Sequence, residues 1–183
     1  MKPDIFMDDF ERTRYSDTIY SIVGRALTIA SRFESLCKSY AALIGIKESP
    51  DVLGDEEALK KMVDNVRKST LYSSIKSIVG EECDFERQLH EARNARNEIA
   101  HEISLGLDRC IDLLPTKDSE GLVHRILELV EKIAKADCLI SLAVTLETRD
   151  YLPNSRFIKN YPKMIRDWIV DKEDKHCLTM GQN

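Results

Sequence analysis

Ten consecutive residues, Arg93-Asn94-Ala95-Arg96-Asn97-Glu98-Ile99-Ala100-His101-Glu102, hold the side chains best suited to acid–base and anion chemistry. An imidazole takes or gives a proton near neutral pH. A guanidinium clamps phosphate oxygens as a bidentate fork, and a neutral amide orients either. At about 100° per residue, Phe85, Leu89, Ala92, Ala95, Ile99 and Ile103 form one apolar stripe. Arg96 falls inside that stripe, while Arg93, Asn97, His90 and His101 share an adjoining face. A buried Arg is costly unless it is paired or faces a site; Asp137, set in an apolar stretch, is one candidate partner. Arg96 and His101 are five residues apart and point roughly 140° from each other on an ideal helix. One helix does not bring both onto a single phosphate, whereas two copies related by a two-fold axis can.

The elements that must position this segment read as helices. From Ile19, the positions Ile22, Val23, Ala26, Leu27, Ala30, Phe33, Leu36, Cys37, Tyr40, Leu43 and Ile44 make a long amphipathic stripe. Ser16 or Asp17 is a fitting cap, and Gly45 followed by Pro50 a stop. A second helix follows Asp55 and resumes at Leu71 up to Gly80. A third opens at Asp84 and carries the chemical segment, over about residues 84–105. After Pro115 a fourth runs from near Ser119 to Leu146, apolar nearly all round in its second half and therefore central or at a subunit interface. Past Pro153, the stretch from Arg156 to Arg166 has four cations and no acid, with a short helix expected from Pro162 to about Val170. Its Phe157 and Tyr161 either stack bases between the cations or, as the plainer reading, pack on the bundle. The expected fold is all-α: an antiparallel bundle of four long helices over residues 1–150, then an appendage, 151–183, with a short helix packed on the bundle or a partner.

Composition narrows the function. The 183 residues carry 27 Lys and Arg against 32 Asp and Glu, a net charge of −5, which excludes a protein that coats nucleic acid through its overall charge. The first nine residues are too acidic and too poor in apolar residues for a signal peptide. No stretch reaches the roughly 20 apolar residues of a membrane span. Five scattered cysteines without a C-x-x-C pair argue against a disulfide scaffold or a zinc site. The expectation is a cytoplasmic protein without metal or cofactor.

Arg96-Asn97-x-x-x-His101, on the third long helix of an all-α chain, resembles the Arg-x4–6-His signature of the HEPN superfamily, over roughly residues 15–150. The resemblance implies a metal-independent endoribonuclease of a toxin or phage-defence kind acting as a homodimer, in which the RNA 2′-hydroxyl attacks the adjacent phosphate and leaves a 2′,3′-cyclic phosphate. It implies that His101 is the general acid/base, that Arg96 stabilises charge on the phosphoryl group, and that Asn97 orients one of them. Arg93 and Glu102 lie outside the signature and are candidates to line the site. One branch of the family carries a Tyr two residues after the His, modified by a silencing partner; here that position is Ile103, which sets this control in doubt. An antitoxin or regulatory protein remains an expected partner. The family also includes members that only bind or dimerise, so the second reading is a non-catalytic helical module that binds a protein partner or a nucleotide.

Overall fold

The computed structural model describes residues 13–79, 84–103 and 116–180, and among them every regular element is helical. Seven α-helices follow in order: α1 (Arg14–Glu48), α2 (Glu56–Lys68), α3 (Leu71–Ile78), α4 (Asp84–Asn97), α5 (Thr116–Thr148), α6 (Ser155–Ile169) and α7 (Lys172–Met180). A 3₁₀ turn, Pro50–Gly54, joins α1 to α2, and α4 passes directly into a π-turn over Glu98–Ile103. The all-α class is therefore as the sequence indicates. Its bundle geometry differs in several respects.

Local chemistry fixes the helix starts. Thr13 and Ser16 cap α1 reciprocally: the Thr13 Oγ1 accepts from the Ser16 N–H at 3.1 Å, and the Ser16 Oγ accepts from the Thr13 N–H at 3.0 Å. The helix thus begins just ahead of Ser16 and Asp17, the expected caps. It also runs through Gly45, which is tolerated inside a helix at a cost of about 1 kcal/mol. Asp55 accepts from the Glu57 and Ala58 N–H groups and starts α2; Thr70 accepts from the Ser73 N–H and starts α3. The second long helix is consequently two shorter ones. At the end of α5, Arg149 adopts the left-handed conformation (φ 57°) and the Asp150 N–H returns to the Thr145 carbonyl.

One core joins α1, α3, α4, the π-turn, α5 and α6. Phe33, Ile19, Ile22, Ile75, Leu89, Ile99, Ile126, Leu129, Ile133, Ile140 and Ile169 are fully enclosed in it. α2 buries no residue completely and lies on the outside of α1. The side-chain pairs Arg32–Asp137 and Lys47–Glu147 rise together in number, so α1 and α5 run the same way. The first and last long helices of an up-down-up-down bundle would be opposed. The apolar run of α5 explains itself partly by α6, which covers it in the antiparallel sense through Tyr161–Asp137 and Arg166–Glu131.

α6 begins two turns earlier than the helix expected from Pro162. Asn154 is an equally good cap: its Oδ1 accepts from the Phe157 N–H at 2.8 Å, and Pro162 then lies mid-helix. There it removes one backbone donor, while its surroundings hold the helix together. α7 folds back on the start of α1, where Arg25 pairs with Asp171 and Asp174. The C-terminal segment packs on the bundle. Its Tyr161 is tied to Asp137 and its Arg166 to Glu131, which favours the plainer reading of the basic stretch. Cys37 and Cys177 are buried, Cys138 is half-buried, and all three are free thiols; Cys83 and Cys110 lie outside the described residues. Burial and the nearby Asp137 and Glu34 carboxylates push the Cys37 thiol up to about 12.

Two substitutions test the packing. Phe33→Ala opens the centre of α1 and is expected to cost about 3–5 kcal/mol in urea unfolding. Tyr161→Phe removes one of the two partners of Asp137 and is expected to cost about 1–2 kcal/mol. A Tyr161→Phe protein as stable as wild type would show that this link does not hold α6.

Candidate functional site

Arg96 is where sequence and structure meet most closely. It lies beside the buried face of α4, formed by Leu89, Ala92 and Ala95, and only a quarter of its side chain reaches solvent. The guanidinium Nη2 donates to Glu34 Oε2 of α1, and Nη1 donates to the Asn97 Oδ1 at 3.1 Å. Glu34 is shared, since Lys38 Nζ reaches its other oxygen at 2.9 Å. The partner of Arg96 is therefore Glu34 and not Asp137. Burial alone would raise the Glu34 carboxyl. The hydrogen bond from Lys38 and the two cationic charges outweigh it and hold the group below its ordinary value of 4.5.

Asp137 is served from two other elements. It has no exposure to solvent, and its Oδ2 accepts from Arg32 Nε of α1 at 3.2 Å and from the Tyr161 hydroxyl of α6 at 2.5 Å. Burial and the bond to Asp137 push the Tyr161 hydroxyl up to about 12. Arg32 is raised as well: the Asp137 carboxylate more than offsets the effect of its own partial burial.

The remaining candidates divide between two faces. Arg93 and His90 turn toward α3, where Tyr72 receives both. The Arg93 guanidinium carbon lies 5.1 Å from the Tyr72 ring centroid, and the His90 ring centroid is 5.3 Å away. His90 also approaches Glu86 at 3.6 Å, and Lys76 lies 5.8 Å above the same tyrosine ring. Arg93 Nε and His90 Nδ1 are buried without a hydrogen-bond partner among the described residues. Asn97, His101 and Glu102 are exposed. The structure thus brings Arg96 and Asn97 together, sets Arg93 beside His90 on a different neighbour, and leaves His101 and Glu102 at the surface.

The π-turn changes the angular relation between Arg96 and His101. A π-turn bonds residue i to i+5 and so turns less per residue, which narrows the separation of about 140° on an ideal helix. Ala95, Ile99 and Ile103 follow one another at intervals of four, and all three are buried. The turn is held from outside by Arg125 of α5, whose Nε and Nη2 donate to the two Glu98 oxygens at 2.6 and 2.8 Å.

Glu34, Lys38 and Tyr72 also take part, although no local pattern singles them out. Glu34 and Lys38 show only the i, i+4 spacing of an ordinary surface pair. Among the described residues, no group of three or more His, Cys, Asp or Glu side chains gathers as a metal site, and no helix is long and apolar enough to cross a membrane. No protein-family model, no curated protein and no solved structure matches this chain.

The depressed Glu34 carboxyl has a definite pH signature. A group whose folded-state value is lowered stabilises the fold above its unfolded value of 4.5, and that contribution disappears as pH falls through the folded value. Glu34→Gln is expected to cost about 1 kcal/mol at pH 7, allowing for partial screening. The gap to wild type should close in urea titrations below pH 4. A gap that stays constant down to pH 3 would rule out the ion pair as its source.

Proposed function

We propose that the chain is a metal-independent endoribonuclease of the HEPN kind, a toxin or phage-defence enzyme of the cytoplasm working as a homodimer, with Arg96, Asn97 and His101 at its centre. The observation that carries this reading is the pairing of a half-buried, braced Arg96 with an exposed His101 across one π-turn. A guanidinium held by Glu34 and Asn97 is restricted in orientation, as a charge stabiliser for a phosphoryl group should be. The exposed imidazole is free to meet a substrate.

In the proposed reaction the RNA 2′-oxygen attacks phosphorus and loses its proton to one His101 imidazole. The bond from phosphorus to the 5′-oxygen breaks, and that oxygen receives a proton from the second copy of His101 across the two-fold. Arg96 faces the phosphoryl oxygens on which negative charge builds up. Arg93 and Glu102 serve the substrate only at a distance in this reading, Arg93 because Tyr72 already holds it. A protein antitoxin or regulator would act by covering His101.

A second reading is favoured by one specific observation. The Arg96 guanidinium already has an acidic partner, which is what a structural arginine in a non-catalytic, partner-binding helical module would have.

Incubating RNA with the protein in excess chelator separates the two. The enzyme reading expects cleavage that falls by about 10²-fold or more in His101→Ala and by about 10²–10³-fold in Arg96→Ala, both variants remaining folded. Intact RNA with wild type, or equal cleavage by wild type and His101→Ala, would leave the module.

A further inference from the structure

A cleft of about 540 Å³ opens between α1 and α2, and neither His101 nor Tyr72 is among the residues that line it. Its volume falls within the range of small-molecule sites, roughly 300–1,000 Å³. Three kinds of wall meet there. Ser31, Ser35 and Ser39 place one hydroxyl on each successive turn of α1. Val63 and Val66 of α2 supply an apolar side. Lys38 and Arg67 bring two cations to one end.

The charge balance of this cleft is uneven. Glu34 is its only acid, and it is already engaged by Lys38 and by Arg96. Arg96, which does not line the cleft, offsets the Glu34 carboxylate, so Lys38 and Arg67 are left as two unbalanced positive charges at the cleft. Lys38 gives hydrogen bonds to Glu34 and to the Arg67 carbonyl, the latter at 3.0 Å. An ammonium has three protons, so one remains for a ligand. The Arg67 guanidinium makes no ion pair among the described residues and is exposed at the cleft.

We propose that this cleft binds a small phosphorylated sugar. The phosphate dianion matches the surplus charge at Lys38 and Arg67, with the guanidinium fork suited to two of its oxygens. The sugar hydroxyls exchange hydrogen bonds with the serine row, and the carbon face of the ring rests on Val63 and Val66. Each wall thus meets a different part of one molecule. A bare phosphate would satisfy one wall only, and an unphosphorylated sugar would leave the cations unmatched.

The test is calorimetric titration of the full chain at low salt with glucose 6-phosphate, glucose and inorganic phosphate. The expected result is saturable binding of glucose 6-phosphate, at least tenfold weaker binding of inorganic phosphate, and none detectable for glucose. Arg67→Met, at a side chain that makes no ion pair among the described residues, should weaken binding about tenfold, and Lys38→Met similarly. Ser35→Val should weaken glucose 6-phosphate and leave inorganic phosphate unchanged. Equal affinity for glucose 6-phosphate and phosphate, unaltered binding by Arg67→Met with circular dichroism unchanged, or no binding at all would overturn the proposal. No outcome depends on RNA or on His101, so the ribonuclease reading stands or falls separately.

Discussion

A charge taken out of water must meet its opposite, and in this protein a single helix meets two of them. Arg96 on α4 and Asp137 on α5 both interrupt apolar surfaces, and each finds its partner on α1: Glu34 for the arginine, Arg32 for the aspartate. Arg32 and Glu34 are two residues apart and so point about 200° from each other around the helix. α1 therefore ties to both α4 and α5, which also pack directly on each other. Isolated pairs of this kind add little net stability compared with apolar packing, but breaking one strands a charge and is costly. What they supply is registry. Tyr161 extends the arrangement by bringing α6 to the same carboxylate.

That registry has a consequence for the proposed chemistry. The helix bearing Arg96 is held from one side by Glu34, while the π-turn immediately after it is held from the other by Arg125. From Glu98 onward the helix widens, Ile99 and Ile103 both stay in the core, and His101 emerges into solvent. π-turns of this sort occur often at functional positions because they re-aim a side chain without ending the helix. The arrangement supports an arginine with a restricted orientation beside a histidine with freedom to approach a substrate.

Much of this was legible in the residues. The 3.6-residue stripes of α1, α4 and α5 mark the core face correctly, and Asp55 and Asp84 stand at or beside the starts they suggest. Arg96 announced itself by falling within an apolar stripe. Its partner did not, because Glu34 is 62 positions away and nothing local distinguishes it from a solvated carboxylate. The spacing Ala95, Ile99, Ile103 marks the core face but not the π-turn, since the same intervals of four recur at Ile29, Phe33 and Cys37 in the regular α1. The early start of α6 was obscured by two competing signals, Asn154 as a cap and Pro162 as a first-turn residue, and only packing on α5 decides between them. The parallel run of α1 and α5 depends on contacts 100 and 105 positions apart, beyond any local pattern.

The central claim concerns chemistry at one phosphate, and the ends of the product report it directly. RNA cut by the protein in the presence of chelator can be analysed by mass for the groups left on either side of the break. Attack by the 2′-hydroxyl, with Arg96 and His101 in their proposed roles, predicts a 2′,3′-cyclic phosphate on one fragment and a 5′-hydroxyl on the other. Fragments ending in a 3′-hydroxyl and a 5′-phosphate, or RNA that remains whole, would contradict it.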